Sequence, residues 1–252
     1  MEKKKVPLLL FSGGLDSSYM LQTYLEKGDV ETLYVKGAQH PDKVTLELRA
    51  RTRIIAELEK KTGNRVLKDR VVNLHDLFEG DMPDRAFVQP ITWITGALQV
   101  SNGEKHAHLA IGYVSGDQVS SEIPFIHAAW ENIQHFTKQN TIPVEFPLKV
   151  TTKLMILDNI WPEVVQHVWV CEMPERRGDR IDGVGSKKRP KSCEWCAACL
   201  TQAGTLAMWK QKHGEPYSHR FIARLRCNKL REEDALKRVL LKETIPPREN
   251  SR

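Results

Sequence analysis

The segment that decides the fold reads V-P-L-L-L-F-S-G-G-L-D-S-S and runs from Val6 to Ser18. Its first six residues form an unbroken apolar run, which is typical of a strand buried on both faces of a parallel sheet. The two glycines permit positive φ in a tight turn, and residues 15–27 then carry a helical pattern that ends before Gly28. The segment therefore predicts a strand, a glycine-containing loop and a helix in immediate succession.

Outward from this segment, strand-like and helix-like stretches alternate. Strands are predicted at residues 6–11, 30–35, 66–74, 108–114, 144–148 and 167–171. Helices are predicted at residues 15–27, 42–62, 85–100, 121–137 and 153–160. Such alternation predicts the α/β class, with a doubly wound parallel sheet covered by helices on both faces. Ligands of these sheets bind beyond the carboxyl ends of the strands, where the glycine loop and residues 112–117 are expected.

A change in composition divides the chain into two predicted parts. Residues 1–165 carry the α/β pattern, and residues 166–252 carry clustered cysteines followed by a helical, basic stretch. We expect the second part to pack on the first so that the two form one unit.

The chain is mildly basic, with 38 Lys and Arg against 32 Asp and Glu and a formal net charge of +6. Seven basic residues lie between Arg176 and Lys191, and the stretch from Lys210 onward is also basic. Such patches suit anionic partners, nucleic acid among them, although a solvated surface explains either patch equally well. No signal peptide is recognisable and no apolar run approaches a membrane span, so we expect a soluble, cytoplasmic protein without a membrane partner.

The loop between the first strand and the first helix has the composition of an anion site. Its backbone N–H groups and the helix N-terminus offer partial positive charge, and Ser12, Ser17 and Ser18 add hydroxyl groups. It lacks the lysine of the nucleotide loop G-x-x-x-x-G-K-S/T and differs from the dinucleotide fingerprint G-x-G-x-x-G. Asp16 would repel a phosphate unless Mg²⁺ lies between them or the side chain caps the helix. A capped turn without any ligand is the structural alternative.

Three of the five cysteines form one cluster: Cys193, Cys196 and Cys199. Thiolates at this spacing can bind one metal ion, and a structural zinc site needs four ligands. Cys171, at the end of a predicted strand, is preferred over Cys227 as the fourth ligand. An iron–sulfur cluster of the ferredoxin type is the rival, but Ala203 occupies the position of its fourth cysteine. Zn²⁺ is therefore the predicted metal, and unligated thiols packed in a core are the remaining alternative.

The sequence S-G-G-L-D-S resembles the S-G-G-x-D-S signature of the PP-loop ATP pyrophosphatases. Members of that superfamily cleave ATP between the α- and β-phosphates and adenylate a carbonyl or carboxylate oxygen, after which a nucleophile displaces AMP. The resemblance implies the adenine nucleotide α-hydrolase-like fold, with ATP and Mg²⁺ as ligands. It implies ATP contacts for the following residues: Phe11, Ser12, Gly13, Gly14, Leu15, Asp16, Ser17 and Ser18.

Within this superfamily, a PP-loop followed by a four-cysteine zinc site resembles the 7-cyano-7-deazaguanine synthase family of the queuosine pathway. Three further segments are similar in their order: residues 34–40 (Y-V-K-G-A-Q-H), 111–117 (I-G-Y-V-S-G-D) and 147–153 (P-L-K-V-T-T-K). That family adenylates the carboxylate of 7-carboxy-7-deazaguanine. Ammonia then gives an amide, which a second ATP converts into the nitrile.

The resemblance implies a role for particular side chains. Catalytic roles are implied for Asp16, Ser17 and Lys153. Substrate contacts are implied for Gln39, His40, Gly112 and Asp117, and zinc ligation for Cys171, Cys193, Cys196 and Cys199. Ordinary structural roles stay open for Lys153 as a residue at a helix start, for Asp117 as a loop cap, and for Gln39 and His40 as surface residues.

Three departures from that family fall at regions that border its substrate pocket. A basic insertion, residues 176–191, separates Cys171 from the other cysteines, residues 118–124 replace a Tyr-Pro-Asp-Cys run, and residues 90–93 (P-I-T-W) replace an Arg-Asn pair. The identity of the nucleophile is therefore not decided by the resemblance. It is either ammonia or, in a divergent relative of the kind found in antiviral defence operons and phage genomes, an amine of a protein or nucleic acid. A tRNA-modifying PP-loop enzyme and a zinc-stabilised nucleotide-binding module without turnover are further hypotheses, and a homodimer is compatible with each.

Overall fold

The computed structural model describes residues 4–37, 41–74, 85–117, 119–137, 142–170 and 197–213. The chain divides into two compact units, Met1–Trp169 and Val170–Arg252. The α/β pattern lies in the first of them.

A parallel sheet forms the centre of the first unit. Within the described residues it has five strands: β1 Val6–Leu10, β2 Val30–Lys36, β3 Val66–Asn73, β4 His106–Ala110 and β5 Val144–Glu145. Every neighbouring pair is parallel, and the order is β3-β2-β1-β4-β5. The strand order reverses between β1 and β4, which opens a crevice at their carboxyl ends where doubly wound sheets bind ligands.

Helices cover both faces of this sheet. The described helices of the first unit are α1 Leu15–Leu25, α2 Pro41–Thr62, α3 Arg85–Val100, α4 Ile123–Thr137, α5 Lys153–Asn159 and α6 Pro162–Val165. A short 3₁₀ helix, Ser120–Glu122, precedes α4. α1 contacts α2, α5 and α6, whereas α3 contacts α4. The predicted α/β class and its parallel, doubly wound sheet are confirmed.

The unbroken apolar run of β1 reflects burial on both faces. Leu8 and Leu10 belong to a buried cluster with Ile94 of α3 and Trp130 of α4. Because side chains alternate along a strand, Leu9 points to the opposite face, and it is also completely buried. An alternating pattern would have left one face of this strand polar, so the run itself identifies β1 as a central strand.

Two strands are shorter than their sequence patterns predict. β4 ends at Ala110 rather than at residue 114, although the N–H of Ile111 still donates to the carbonyl of Glu145 at 2.9 Å. β5 ends at Glu145 rather than at residue 148, because Pro147 lacks an N–H group and the chain turns there. Both predicted strands were too long because they included apolar residues that belong to the following loops.

The strand predicted at residues 167–171 is wrong over its described part, which ends at Val170. The N–H of His167 closes a turn onto the carbonyl of Val164 at 3.0 Å. The N–H of Trp169 donates to the carbonyl of Gly13 at 3.0 Å instead of joining a strand ladder. The backbone of Trp169 therefore lies beside the glycine loop without forming a strand.

In the second unit, the described helix is α7, Ala197–His213. Cys199 is completely buried in its first turn, and Leu206 and Trp209 are also buried. No cluster of His, Cys, Asp or Glu that could hold a metal ion occurs in the described part of the chain. The other predicted zinc ligands, Cys171, Cys193 and Cys196, lie outside the described residues, so the zinc site stays a prediction.

None of the helices in the described ranges has both the length and the apolar character needed to cross a membrane.

Candidate functional site

The glycine loop, residues 11–18, begins where β1 leaves the sheet and ends in the first turn of α1. Gly13 has a φ of +83°, and its carbonyl accepts the hydrogen bond from Trp169. Since a trans peptide places its C=O and N–H on opposite sides, the N–H of Gly14 points the other way, and it lies 3.3 Å from Ser12 Oγ. The Trp169 contact thus orients this N–H toward the serine hydroxyls of the loop.

Three serines form a hydrogen-bonded set around Gly14. Ser12 Oγ and Ser17 Oγ are 3.1 Å apart, and Ser17 Oγ also donates to the carbonyl of Gly14 at 3.2 Å. Ser18 Oγ donates to the same carbonyl at 2.6 Å and is completely buried. Ser12 is partly exposed and Ser17 keeps 8% exposure, whereas Ser18 has no exposed surface and stabilises the turn.

Two features require a glycine at position 13: its positive φ and the close packing around it. A Cβ atom there would lie 3.2 Å from the Cβ of Ala50, the Cγ of Arg51 and the carbonyl oxygen of Glu47. These residues form one turn in the middle of α2, so α2 supports the glycine loop from behind. A side chain at residue 13 would push the loop away from that helix.

A lysine from a distant part of the chain reaches the loop. Lys153 is the first residue of α5, whose N-cap residue Thr152 accepts a hydrogen bond from the N–H of Met155. Its Nζ lies 2.6 Å from Asp16 Oδ2 and 3.2 Å from Asp117 Oδ1. The structure thus brings together Asp16, Lys153 and Asp117, and the loop that has no lysine in its own sequence gains one by folding.

The turn after β4 holds Asp117 in this cluster. Gly116 has a φ of +87°, and the N–H of Ser115 donates to the carbonyl of Thr151 at 2.9 Å, next to Lys153. Ser120 Oγ donates to the carbonyl of Asp117 at 2.6 Å. Both attachments leave the Asp117 carboxylate directed at Lys153.

The environment of this cluster shifts the pKa values of Asp16 and Lys153. Burial raises the pKa of Asp16, and the net shift stays upward although the Lys153 ammonium opposes it. For Lys153, burial lowers the pKa, but the carboxylates of Asp16 and Asp117 outweigh burial and raise it. Lys153 therefore stays a cation at neutral pH, held between two carboxylates.

Asp16 does not cap α1, because its carboxylate pairs with Lys153 and the N-cap position belongs to Gly14, which offers no side-chain cap. Its second oxygen, Oδ1, is buried and accepts no hydrogen bond from any described residue. A buried carboxylate oxygen without a donor is a costly arrangement. It fits a site that is completed by a ligand or a cation.

The loop after β4 forms a second wall beside α1. Gly112 packs on α1, since a Cβ there would lie 3.5 Å from Met20 Sδ and 3.6 Å from the Cα of Ser17. The Tyr113 ring stacks between Trp93 and Phe146, with centroid distances of 5.7 and 6.2 Å. Gly112 thus lets the loop approach the catalytic serine predicted from the sequence.

The hydroxyl of Tyr113 is a polar group that the sequence analysis missed. It is buried and has no hydrogen-bond partner within the described ranges. Burial raises the pKa of Tyr113 well above its usual value, and the nearby Asp117 carboxylate adds to the effect. The segment I-G-Y-V-S-G-D gave no signal for this, because the environment of the ring is set by Trp93 of α3, far away in sequence.

Two predicted substrate residues, Gln39 and His40, lie outside the described residues. Arg51 is a second residue that the sequence does not reveal, because an arginine in a long charged helix is expected to be exposed. In the structure it is completely buried against the glycine loop.

The arrangement has the chemistry of a polyphosphate site. It combines a glycine turn, a helix N-terminus and hydroxyl groups, which bind anions, with a lysine that can neutralise charge. The two carboxylates beside the lysine supply the oxygen ligands that Mg²⁺ prefers.

No protein-family model matches the sequence, and no curated protein matches it in a sequence comparison. Among solved structures, the chain is similar to the U34-tRNA thiolase NcsA from Methanococcus maripaludis with its 4Fe-4S cluster, at 12% identity and a TM-score of 0.41 over 97% of this chain and 74% of that chain. It is also similar to a predicted subunit of tRNA methyltransferase from Methanocaldococcus jannaschii, at 16% identity and a TM-score of 0.36 over 84% of this chain and 89% of that chain.

Proposed function

We propose that the chain is an ATP-using enzyme that binds the β- and γ-phosphates in the glycine loop and transfers AMP to an acceptor oxygen. The observation that carries this proposal is the convergence of Lys153 and Asp117 on Asp16 at the start of α1. These residues come from three separate elements, and they meet at the crevice between β1 and β4. A merely structural turn would not need two further loops to deliver a lysine and a carboxylate to it.

The proposed reaction is an in-line displacement at the α-phosphorus. A carboxylate oxygen of the acceptor forms a bond to that phosphorus, and the bond to the oxygen bridging the α- and β-phosphates breaks, which releases pyrophosphate. An amine then attacks the activated carbonyl carbon and AMP leaves. The protein contributes positioning and charge neutralisation. Lys153 offsets negative charge at the phosphates, and the loop N–H groups with Ser12 and Ser17 hold the leaving pyrophosphate.

Mg²⁺ fits the donor set of this site. The Oδ1 atom of Asp16 is buried without a hydrogen-bond donor in the described part of the chain, and the Asp117 carboxylate lies 3.2 Å from the same Lys153 Nζ that pairs with Asp16. These two carboxylates are the groups that would hold the ion, which would supply further neutralisation of the phosphates when bound with ATP.

We propose 7-carboxy-7-deazaguanine as the acceptor to test first, on the sequence similarity described above, with ammonia as the nucleophile. The enzyme is incubated with this carboxylate, ATP, Mg²⁺ and ammonium, and products are identified by mass spectrometry. Amide or nitrile is the expected product. AMP and pyrophosphate released only when a protein or nucleic-acid amine replaces ammonium would instead favour the conjugating activity.

A second candidate function is the modification of tRNA. The observation that favours it is the basic composition of residues 176–191 and of the stretch from Lys210 onward. Of these residues, the structure describes only 210–213. Phosphate contacts make nucleic-acid affinity fall steeply as the salt concentration rises. Salt-dependent binding of tRNA, measured by filter binding, is expected for this candidate, and absence of binding at low salt would dispose of it.

A further inference from the structure

A completely buried arginine lies directly behind the glycine loop. Arg51 of α2 has no exposed surface. Its guanidinium carbon is 4.8 Å from the centre of the Phe11 ring and 5.1 Å from that of Tyr34. Its Cγ is one of the atoms that exclude a side chain from Gly13. The side chain thus connects the middle of α2 with the first residue of the loop.

One counter-charge of Arg51, the carboxylate of Asp69, lies on the far side from the loop. The guanidinium pairs through Nη2 with the carboxylate of Asp69, which also accepts a hydrogen bond from Thr32 at 2.6 Å. Asp69 is on β3, and the strand order β3-β2-β1 places it about two strand spacings, roughly 10 Å, from the strand that carries the loop. Its side chain is 37% exposed, so water screens the carboxylate more than the guanidinium.

Two nitrogen atoms of Arg51, Nε and Nη1, have no hydrogen-bond partner among the described residues. A buried guanidinium with incomplete pairing is destabilising, and its presence in a native structure calls for an explanation. On the preceding turn of α2, the carboxylate of Glu47 lies 3.7 Å from Lys43, accepts a hydrogen bond from the Tyr34 hydroxyl and also attracts the Arg51 guanidinium. The guanidinium therefore has carboxylates near it but incomplete hydrogen bonding, and it stands over the ring of Phe11 at the start of the loop.

We propose that Arg51 is a positioning residue of the phosphate site. Its guanidinium holds Phe11 and the Gly13 turn in place, and its charge adds positive potential behind the N–H groups that receive the pyrophosphate portion of ATP. This inference rests on the proposed function and deepens it, since it identifies a cation that acts on the anion through the loop rather than by contact.

The test separates charge from folding by changing each member of the ion pair. Arg51→Met removes the cation, Asp69→Asn removes the anion but keeps an acceptor for Thr32, and Arg51→Met/Asp69→Asn removes both. Arg53→Met is the matched control, because Arg53 is an exposed arginine on the same helix. Binding of inorganic pyrophosphate with Mg²⁺ is measured by titration calorimetry at low salt, and the free energy of unfolding is measured by urea denaturation.

Arg51→Met is expected to weaken pyrophosphate binding roughly tenfold or more, because it removes one charge interaction in the protein interior. Asp69→Asn is expected to bind pyrophosphate at least as tightly as wild type although it is less stable. The double variant, in which no buried charge is unpaired, is expected to fold and to bind weakly, and it serves if Arg51→Met alone does not fold. Arg53→Met is expected to match wild type.

A purely structural role predicts a different pattern. Affinity would then follow stability, so that Asp69→Asn weakens binding as much as the loss of Arg51 does, or the folded double variant binds like wild type. Either result would overturn the inference while leaving the proposed function standing. Absence of pyrophosphate binding by the wild-type protein would overturn both.

Discussion

At the residue scale, the proposed activity depends most on Lys153, which folding places beside the glycine loop. Its Nζ is the only described cation placed between the Asp16 and Asp117 carboxylates. We expect Lys153→Met to lower the rate of pyrophosphate release roughly 100-fold, a typical effect of removing one preorganised electrostatic contact. Lys149→Met is the control and should keep the wild-type rate, because Lys149 is an exposed lysine four residues earlier. Equal rates in the two variants would remove Lys153 from the mechanism.

The loop residues Asp16 and Ser17 are expected to be catalytic rather than structural. Ser17 makes only weak hydrogen bonds, at 3.1 to 3.3 Å, within the loop. We predict that Asp16→Ala and Ser17→Ala each abolish pyrophosphate release while the far-UV circular dichroism and unfolding midpoint stay close to those of wild type. Wild-type activity in both variants would contradict this assignment.

The sequence identified the residues that surround the site better than it identified the reasons for their placement. Asp16, Asp117 and Lys153 were predicted individually, from motif order, and the fold brings them within hydrogen-bond distance. The Asp16–Lys153 pair itself could not be predicted, because it depends on how the loop after β5 returns beside α1. Arg51 and Tyr113 carried no signal, since their burial depends on residues far away in the chain.

At the element scale, α5 is fixed to α1 by a buried glutamine. Gln22 accepts a hydrogen bond from the N–H of Trp161 at 2.9 Å and donates to the carbonyl of Asn159 at 3.2 Å. Gln22→Met, which keeps the length of the side chain, leaves these backbone groups without partners and should destabilise the protein by about 1–3 kcal/mol. Urea denaturation measures this. An unchanged midpoint would mean that the end of α5, and with it Lys153, is held by other contacts.

The approach of α3 to β2 depends on Gly96. A Cβ at this position would stand 2.5 Å from Cγ2 and 2.8 Å from Cγ1 of Val35. We expect Gly96→Ala to destabilise the protein by roughly 1–3 kcal/mol through overpacking. In the double variant with Val35→Ala the two costs should be less than additive, because the clashing methyl groups are gone. Simple additivity in a double-mutant cycle would contradict the proposed clash.

Element types were predictable from the sequence, and their ends were less so. The central strand β1 and the helix α3 with its internal Pro90 agree closely with the patterns. β4 and β5 were predicted too long because the residues that follow them are apolar, although they lie in buried loops and not in strands. Ile111, Tyr113 and Leu148 are buried in loops that build the crevice, where hydrophobic content does not imply a strand.

At the scale of the whole molecule, Glu31 should make stability depend on pH. Burial raises its pKa, but hydrogen bonds from Arg70 and His106 outweigh burial and lower the pKa below its usual 4.5. A lowered pKa means that stabilisation is present above 4.5 and is lost as the pH falls through the folded-state value. Glu31→Gln should therefore cost about 1–2 kcal/mol at pH 7, and the cost should shrink progressively as the pH falls below 4.5. A pH-independent difference would show that the carboxylate charge is not responsible.

The zinc prediction concerns the second unit, where three of the four predicted ligands lie outside the described residues. We expect one zinc ion per chain by elemental analysis, and its loss with a drop in stability in Cys196→Ser, because structural zinc contributes folding free energy. Cys227→Ser is the matched control and should retain the metal. Iron, or no metal, in the purified protein would refute the assignment.

The central claim is that the glycine loop holds the pyrophosphate portion of ATP while AMP is transferred. The most direct measurement identifies which bond of ATP breaks, by following the reaction with 7-carboxy-7-deazaguanine and ammonium by ³¹P NMR. We predict AMP and pyrophosphate in equal amounts, with both lost in Lys153→Met. Formation of ADP and inorganic phosphate, or a wild-type protein that does not bind ATP, would contradict the account.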